Sequence, residues 1–422
     1  MSHESASPRQ SAAEKYLPAR GKRVALCVTG SVAAYKAALL ARLLVRAGAE
    51  VQVVQSRSSR EFVGPATFAG ITGRPPLCEL FDADTGGELH VELAAESDAV
   101  VVMPATADCL ARLATGRADD LVTATVLCAT GQVIVAPAMH PSMWSHPATQ
   151  RNVRQLTEDG RVTWVGPVSG EVASGDFGEG RMAEPEAVYG AIIRQLSLDA
   201  WQGRRLLISA GPTVEDVDPV RFISNRSTGK MGFALAERAA ARGAEVTLVA
   251  GPTELPTPFD VTRVDVRSAL EMQAALSEAA GPALSGTDAL IMCAAVGDYR
   301  LEQAHATKLT RGGEGLTLEL KENPDIIRAL ASERGGKRPV LVAFAVETEE
   351  TELVLRARRK LERKGVDLVV ANLARDSFGR EHNVAVLVSE ASHTALPELP
   401  KPAVADHVLD WVLARLVGSA VA

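Results

Sequence analysis

One short pattern occurs in both halves of the chain. An apolar run is followed by a small-residue loop, an Ala/Leu-rich stretch, a glycine and a second apolar run. In the first half these are Arg23–Thr29 (RVALCVT), Gly30-Ser31, a helix to about Ala47, Gly48 and Glu50–Val54. In the second half they are Arg204–Ser209, Ala210-Gly211-Pro212-Thr213, a helix from about Gly229 to Arg242, Gly243 and Glu245–Val249. The two endings, RAGAEVQVV and ARGAEVTLV, run nearly in step. Strand, helix and strand joined this way make a βαβ unit, and such units build a parallel sheet. Two separate openings predict two α/β domains. The likeness is local and does not establish an internal repeat.

Length agrees. The 422 residues are too many for one ordinary core and suit two domains of about 200 residues each. Hydrophobic residues make up 46% and aromatics only 4%, which suits alternating strands and helices better than a β-sandwich. The net charge of −7 favours neither nucleic acid nor an anionic membrane surface. Anionic substrates then need local basic groups. The five cysteines (Cys27, Cys78, Cys109, Cys128, Cys293) form no CxxC pair, which argues against a zinc site and for a reducing compartment. No apolar run is long enough to span a bilayer. Residues 1–21 read as a disordered tail without a signal-peptide core, so a cytoplasmic location is expected. The expected boundaries are then 22–198 for the first domain and 199–422 for the second.

Further strands are expected at Ala99–Met103, Gln132–Ala136, Ala289–Cys293, Leu316–Leu320, Val340–Phe344, Asp367–Val370 and Asn383–Val388. Helices are expected after Asp119 and Ser145, at Pro185–Leu196, Ser268–Ala280, Pro324–Ser332, Glu352–Lys364 and Ala403–Leu416. Gly166 to Gly180 has no periodicity and reads as a mobile loop or flap. Ser197–Gly203 reads as the linker.

In the first half, Thr29-Gly30-Ser31 lies where a strand meets a helix, and a helix start suits a phosphate. A glycine there is a packing device about as often, and the GxGxxG of dinucleotide enzymes is missing. Three longer stretches carry more: TGSVAAYK (Thr29–Lys36), PATADCLARLATGRADDL (Pro104–Leu121) and APAMHPSMW (Ala136–Trp144). Together they resemble the homo-oligomeric flavin-containing cysteine decarboxylases. The resemblance implies a flavodoxin-like domain with FMN at the strand carboxyl ends, where open α/β sheets bind ligands. It implies FMN contacts from Gly30, Ser31, Ser56, Ala105, Thr106, Pro137, Ala138 and Met139. His90, which taken alone reads as a surface or satisfied histidine, would be the base or orienter beside the flavin. No external nicotinamide is implied, because the flavin is reduced and reoxidised within one turnover. The sequence departs from the family twice. His140 stands where an Asn binds the substrate carboxylate, and Ser174, in ASGDFGEGRM, stands where a Cys serves the final step. A serine has no thiolate chemistry.

In the second half, SAGPTVEDVDPVRFISNRSTGKMG (Ser209–Gly232) is not a Walker A loop, yet it has small residues after a strand and Ser-Thr-Gly at a helix start. It resembles phosphopantothenate–cysteine ligase. That family activates a carboxylate with CTP, and the amine of cysteine then displaces CMP. The resemblance implies that Asn225 holds the acyl-cytidylate and pairs with an oxyanion; a helix-cap role is compatible. It implies phosphopantothenate binding by Arg221. For CTP it implies Asp298 in CAAVGDYR, Lys308, the run Pro324, Asp325, Ile326 and Ile327, and Phe344 near the base. Thr310 and Arg311 depart from the lysines expected after Lys308. Lys360 and Lys364, at i and i+4, would reach phosphates; without the resemblance they read as a solvated basic face. Mg²⁺ is implied with the triphosphate, with no protein ligand named.

The resemblance spans about Gly21 to Leu416. It implies a flavodoxin-like decarboxylase domain followed by a Rossmann-like ligase domain, and a homo-oligomer, a dodecamer of trimers and dimers, acting on 4'-phosphopantothenate, cysteine and CTP. Two competing readings are a flavoprotein with a nucleotide-sensing second half, and an NAD-linked dehydrogenase with two Rossmann domains.

Overall fold

The computed structural model describes residues 17–81, 88–197, 200–310, 316–347, 352–373, 380 and 382–418. The chain divides into two compact units, residues 17–197 and 198–422.

The first unit holds a parallel sheet of β1 (Arg23–Val28), β2 (Glu50–Gln55), β3 (Ala99–Ala105), β4 (Val133–Pro137) and β5 (Val162–Trp164). Its order is β2-β1-β3-β4-β5, all parallel. This is the flavodoxin-like order, whose switch point lies between β1 and β3. The central strands are apolar on both sides, as a doubly covered sheet requires; all seven residues of β3 are buried. Helices Ala107–Ala114, Leu121–Cys128 and Pro147–Glu158 cover one face through Leu110, Leu121 and Leu156. Helices Ala34–Arg46 and Pro185–Leu196 pack together on the other through Leu40, Leu44 and Ile192.

Two expectations change here. The tail was expected to run through residue 21. Instead Leu17–Gly21 forms turns against the end of the first helix: Ala19 is fully buried and its N–H donates to the Ala47 carbonyl at 2.9 Å. Residues 1–16 lie outside the described residues. The Gly-rich loop is a hairpin, β6 (Val168–Glu171) against β7 (Phe177–Arg181), antiparallel. Its strands are too short and glycine-rich to show a period of two.

The second unit is built on one eight-stranded sheet. Its members are β8 (Arg205–Ala210), β9 (Glu245–Ala250), β10 (Val261–Asp265), β11 (Ala289–Met292), β12 (Val340–Glu347), β13 (Leu368–Leu373), β14 (Ala385–Ser389) and β15 (His393–Ala395). The order is β10-β9-β8-β11-β12-β13-β14-β15. The first six are parallel and the last two antiparallel. Counted along the chain, the parallel part runs 3-2-1-4-5-6, the Rossmann order, with its switch point between β8 and β11. Helices Lys230–Ala241 and Lys401–Val417 cover one face. Ala269–Ala280, Ile326–Glu333 and Leu353–Lys364 cover the other.

β10 was not expected. It is an edge strand whose residues are all partly or fully exposed, so its run carries little apolar signal. The expected strand at Leu316–Leu320 is displaced: Leu320–Glu322 pairs instead with Tyr299–Leu301 in a separate ribbon. The linker also ends early, because Trp201 is fully buried and its N–H donates to the Arg242 carbonyl at 2.9 Å.

Candidate active sites

In the first unit, the switch point is knit by β1 and β3. Thr29 Oγ1 donates to the Pro104 carbonyl at 2.6 Å and accepts from the Thr106 N–H at 3.3 Å. Thr106 in turn caps the helix Ala107–Ala114 through Cys109 N–H. Gly30 is required by the close approach of a neighbouring turn, since a Cβ there would lie 2.4 Å from Ser58 Oγ. Ser56 caps that turn by accepting from Ser59 N–H at 3.2 Å.

Beside this point lies a cavity of about 570 Å³. Ser31, Tyr35, Lys36, Met139, His140 and Ser174 are among its walls. Of the expected flavin contacts, Ser31, Ala138 and Met139 reach it; Gly30, Ser56, Ala105, Thr106 and Pro137 build the strand ends behind it. His90 sits half-buried on helix Leu89–Glu96 and is not brought to the cavity within one chain. The two departures from the family meet on one carboxylate. Asp176 Oδ2 lies 2.8 Å from His140 Nε2 and accepts from Ser174 Oγ at 2.9 Å. His140 Nδ1 accepts from the Ser142 N–H at 3.2 Å, so Nε2 carries the hydrogen that Asp176 accepts. The bond from His140, then that from Ser174, holds the Asp176 carboxyl below its ordinary range.

Sequence reasoning passed over Asp176 and Lys36. Lys36 is 7% exposed, and its ammonium donates to Glu184 Oε1 at 3.0 Å and the Met182 carbonyl at 3.4 Å. A lysine on the inner face of an otherwise Ala/Leu helix was the available signal. Apolar walls, three hydroxyls and one ammonium fit a flat ring system carrying an anionic tail.

In the second unit, a cavity of about 800 Å³ opens at the carboxyl ends of β8, β11 and β12. Its walls include Asn225, Asp298, Pro324, Asp325, Ile326, Ile327, Phe344, Lys360 and Lys364, all expected from sequence. The helix Lys230–Ala241 presses onto β8 at its mouth: a Cβ on Gly232 would lie 2.5 Å from Ala210 Cβ. Asp325 caps the helix Ile326–Glu333 and pairs with Lys364 Nζ at 3.1 Å. Burial, followed by the charge of Lys364, lowers the pKa of Lys360. Asn225 Nδ2 donates to the carbonyls of Ala295 and Val296 at 3.1 and 3.0 Å. Both amide hydrogens are thereby used, so the group Asn225 offers is its oxygen, an acceptor. In this arrangement neither hydrogen is free for an oxyanion.

Arg221 and Lys308 do not line the cavity. Arg221 donates to the Leu309 carbonyl at 2.8 Å, and Asp218 Oδ2 accepts from the Leu309 N–H at 3.2 Å. Arg221 is thus fastened to the backbone of Leu309, the residue after Lys308. Arg311 lies outside the described residues. Sequence reasoning missed Arg363, Asn372, Asn383 and Lys401, which also line the cavity.

Comparison with known proteins agrees with this division. The family model described as Flavoprotein matches residues 12–197. The one described as DNA/pantothenate metabolism flavoprotein C-terminal domain matches residues 201–416. The coenzyme A biosynthesis bifunctional protein CoaBC of Vibrio cholerae serotype O1 is 42% identical over 93% of this chain and 98% of its own. The chain belongs to the bifunctional coenzyme A biosynthesis proteins. The Mycobacterium tuberculosis member is 42% identical over 94% of this chain and 97% of its own. A crystal structure of the C-terminal domain of such a protein is 36% identical, with a TM-score of 0.44, and covers 52% of this chain and all of its own. This chain is therefore an enzyme of coenzyme A biosynthesis, with a flavoprotein decarboxylase half and a ligase half.

Proposed function

We propose that the second unit binds CTP and Mg²⁺ and condenses 4'-phosphopantothenate with cysteine through an acyl-cytidylate. We propose further that the first unit, holding FMN, decarboxylates the resulting 4'-phospho-N-pantothenoylcysteine to 4'-phosphopantetheine. The observation that carries this reading is the cavity joining Asn225, Asp298, Lys360 and Lys364 at a Rossmann switch point.

A carboxylate is inert to amines until its oxygen becomes a leaving group, and a nucleotidyl group supplies that. Lys360, Arg363 and Lys364 form a cationic end suited to phosphates. The acceptor oxygen of Asn225 suits the N–H of the attacking amine and aims its lone pair at the acyl carbon. Cys293 is no rival nucleophile, since burial pushes its thiol up to about 12. Mg²⁺ would ride on the phosphate oxygens, as it commonly does. Arg221 would act on phosphopantothenate once substrate frees it from the Leu309 carbonyl, and Lys308 would act on CTP.

In the first unit, bound FMN would supply the electron sink that lets carbon dioxide leave. Ser31, Ala138 and Met139 would hold it against the strand ends. His140 would bind the substrate carboxylate, and the Asp176 bond fixes its ring. Val32, Tyr35 and Leu39, at 59%, 55% and 50% exposure, leave an apolar surface beside the cavity that a second copy would cover. His90 would then act across that contact, in a trimer within the proposed dodecamer. A cytoplasmic location is proposed with it; among the described residues no helix is long and apolar enough to cross a membrane.

Asn225→Asp separates the halves. A carboxylate cannot donate to the Ala295 and Val296 carbonyls, so the acceptor is misplaced and condensation should fall by about a hundredfold, while decarboxylation of supplied 4'-phospho-N-pantothenoylcysteine stays within twofold of wild type (roughly 0.4 kcal/mol). Loss of both together would refute the division of labour.

A further inference from the structure

Two buried amide oxygens in the second unit have no role so far. Asn372 is 5% exposed and Asn383 2%. The Oδ1 atom of each is buried without a hydrogen bond among the described residues. Both residues line the 800 Å³ cavity. Native chains rarely leave such acceptors unpaired, because the water they lose is not replaced.

The two come to the cavity from different elements. Asn372 stands opposite Ala385 in the β13–β14 pair, while Asn383 pairs with Leu399 in a separate short ribbon just before β14; both line the same cavity. Phe344 shares the face of Asn372, since its neighbour Val370 on β13 is two residues before Asn372. Met231, Cys293 and Phe344 make an apolar wall there. Lys401 opens the last helix at the same end and donates to the Arg380 carbonyl. The cavity is therefore polarised. Lys360, Arg363 and Lys364 offer charge at one end; at the other, two acceptors meet a flat apolar wall.

We propose that Asn372 and Asn383 read the nucleotide base, their oxygens accepting the two hydrogens of a ring amino group, the 4-amino group of cytosine. This rests on the reading of the cavity as a CTP site. Uracil carries a carbonyl at that position and would set its acceptor against two buried acceptors. A ligand ammonium, such as that of cysteine, also donates hydrogens, but the Lys401 cation stands against it. The neutral ring amine is the better match.

The test uses the full chain and pyrophosphate release with phosphopantothenate. CTP, UTP and the CTP analogue lacking the 4-amino group are compared. Wild type should prefer CTP over both others by about a hundredfold or more in kcat/KM. Asn372→Leu and Asn383→Leu should each lower the CTP value about 10- to 100-fold and leave UTP unchanged, collapsing the preference. Should either variant fail to fold, the analogue comparison on wild type decides alone. Equal use of CTP and the analogue would overturn the proposal. So would variants that raise the KM for cysteine while preserving the CTP-to-UTP ratio. Absence of pyrophosphate release with every triphosphate would overturn the CTP reading itself, and this proposal with it.

Discussion

Gly232→Ala perturbs the ligase site without touching a polar group. The added Cβ would lie 2.5 Å from Ala210 Cβ, 3.0 Å from Ala210 Cα and 3.1 Å from the Ser209 carbonyl oxygen. Carbon atoms rest at about 3.5–4.0 Å, so the helix must retreat from β8 by about 1 Å. Its neighbours are backbone and a fully buried alanine, which cannot rotate away. Overpacking of this kind costs about 1–3 kcal/mol. The better helix propensity of alanine returns at most about 1 kcal/mol, and less in a first turn. The net loss is about 1–2 kcal/mol, which lowers the melting point of a unit this size by roughly 2–8 °C. Gly229–Gly232 line the cavity, so the same shift should raise the KM for CTP several-fold. The assay is differential scanning calorimetry beside pyrophosphate release, with decarboxylation of supplied substrate as the internal control. An unchanged melting point and an unchanged KM would refute the packing argument; a parallel fall in decarboxylation would refute its confinement to the second unit.

Ser174→Cys should speed the return of the flavin to its oxidised state after carbon dioxide leaves, as read by rapid-mixing absorbance. Indistinguishable traces would show that this position does not limit turnover. Because the Asp176 carboxyl is held low by His140 and Ser174, the stabilisation it gives the hairpin is present above the ordinary carboxylate pKa. It is lost as pH falls through the depressed value. Protection from hydrogen exchange at residues 172–178, taken relative to the intrinsic rate at each pH, should fall in acid, and Asp176→Asn should abolish that fall; an identical protection profile in the variant would exclude the contact. Lys360 has a lowered pKa from burial and Lys364. Its protonated form binds phosphate, so CTP affinity should weaken as pH rises through that lowered value, and Lys360→Met should flatten the profile by calorimetric titration. A slope that survives the substitution would place the titration elsewhere.

The parallel cores were legible because the central strands are short apolar runs and the first helix of each half is closed by a glycine, Gly48 and Gly243; the sheet orders appear only in the structure. What escaped was carried by weak or contextual signals. The hairpin of Val168–Arg181 is glycine-rich, and β10 is a polar edge, so neither shows an apolar period. Asn225, Asp298, Phe344, Lys360 and Lys364 line one cavity because the loops at the strand carboxyl ends and the helices facing them meet there. Arg221 and Lys308 do not line it, since a motif fixes a residue's position in the chain but not where its side chain lies. Asn372 was written into LVVANL as a polar residue in an apolar run. Only the folded sheet and the short ribbon of Asn383 with Leu399 bring both to one cavity. Asp176 was similarly visible as a residue, while its bonds to His140 and Ser174 depend on how the hairpin folds back.

The central claim, that one chain joins and then decarboxylates, is tested most directly in one vessel. Purified protein is given 4'-phosphopantothenate, cysteine, CTP and Mg²⁺, and products are followed by mass spectrometry. Two ordered reactions predict CMP, pyrophosphate, carbon dioxide and 4'-phosphopantetheine, with 4'-phospho-N-pantothenoylcysteine rising first and then falling. Condensed product that accumulates without decarboxylating, or no CMP at all, would contradict it.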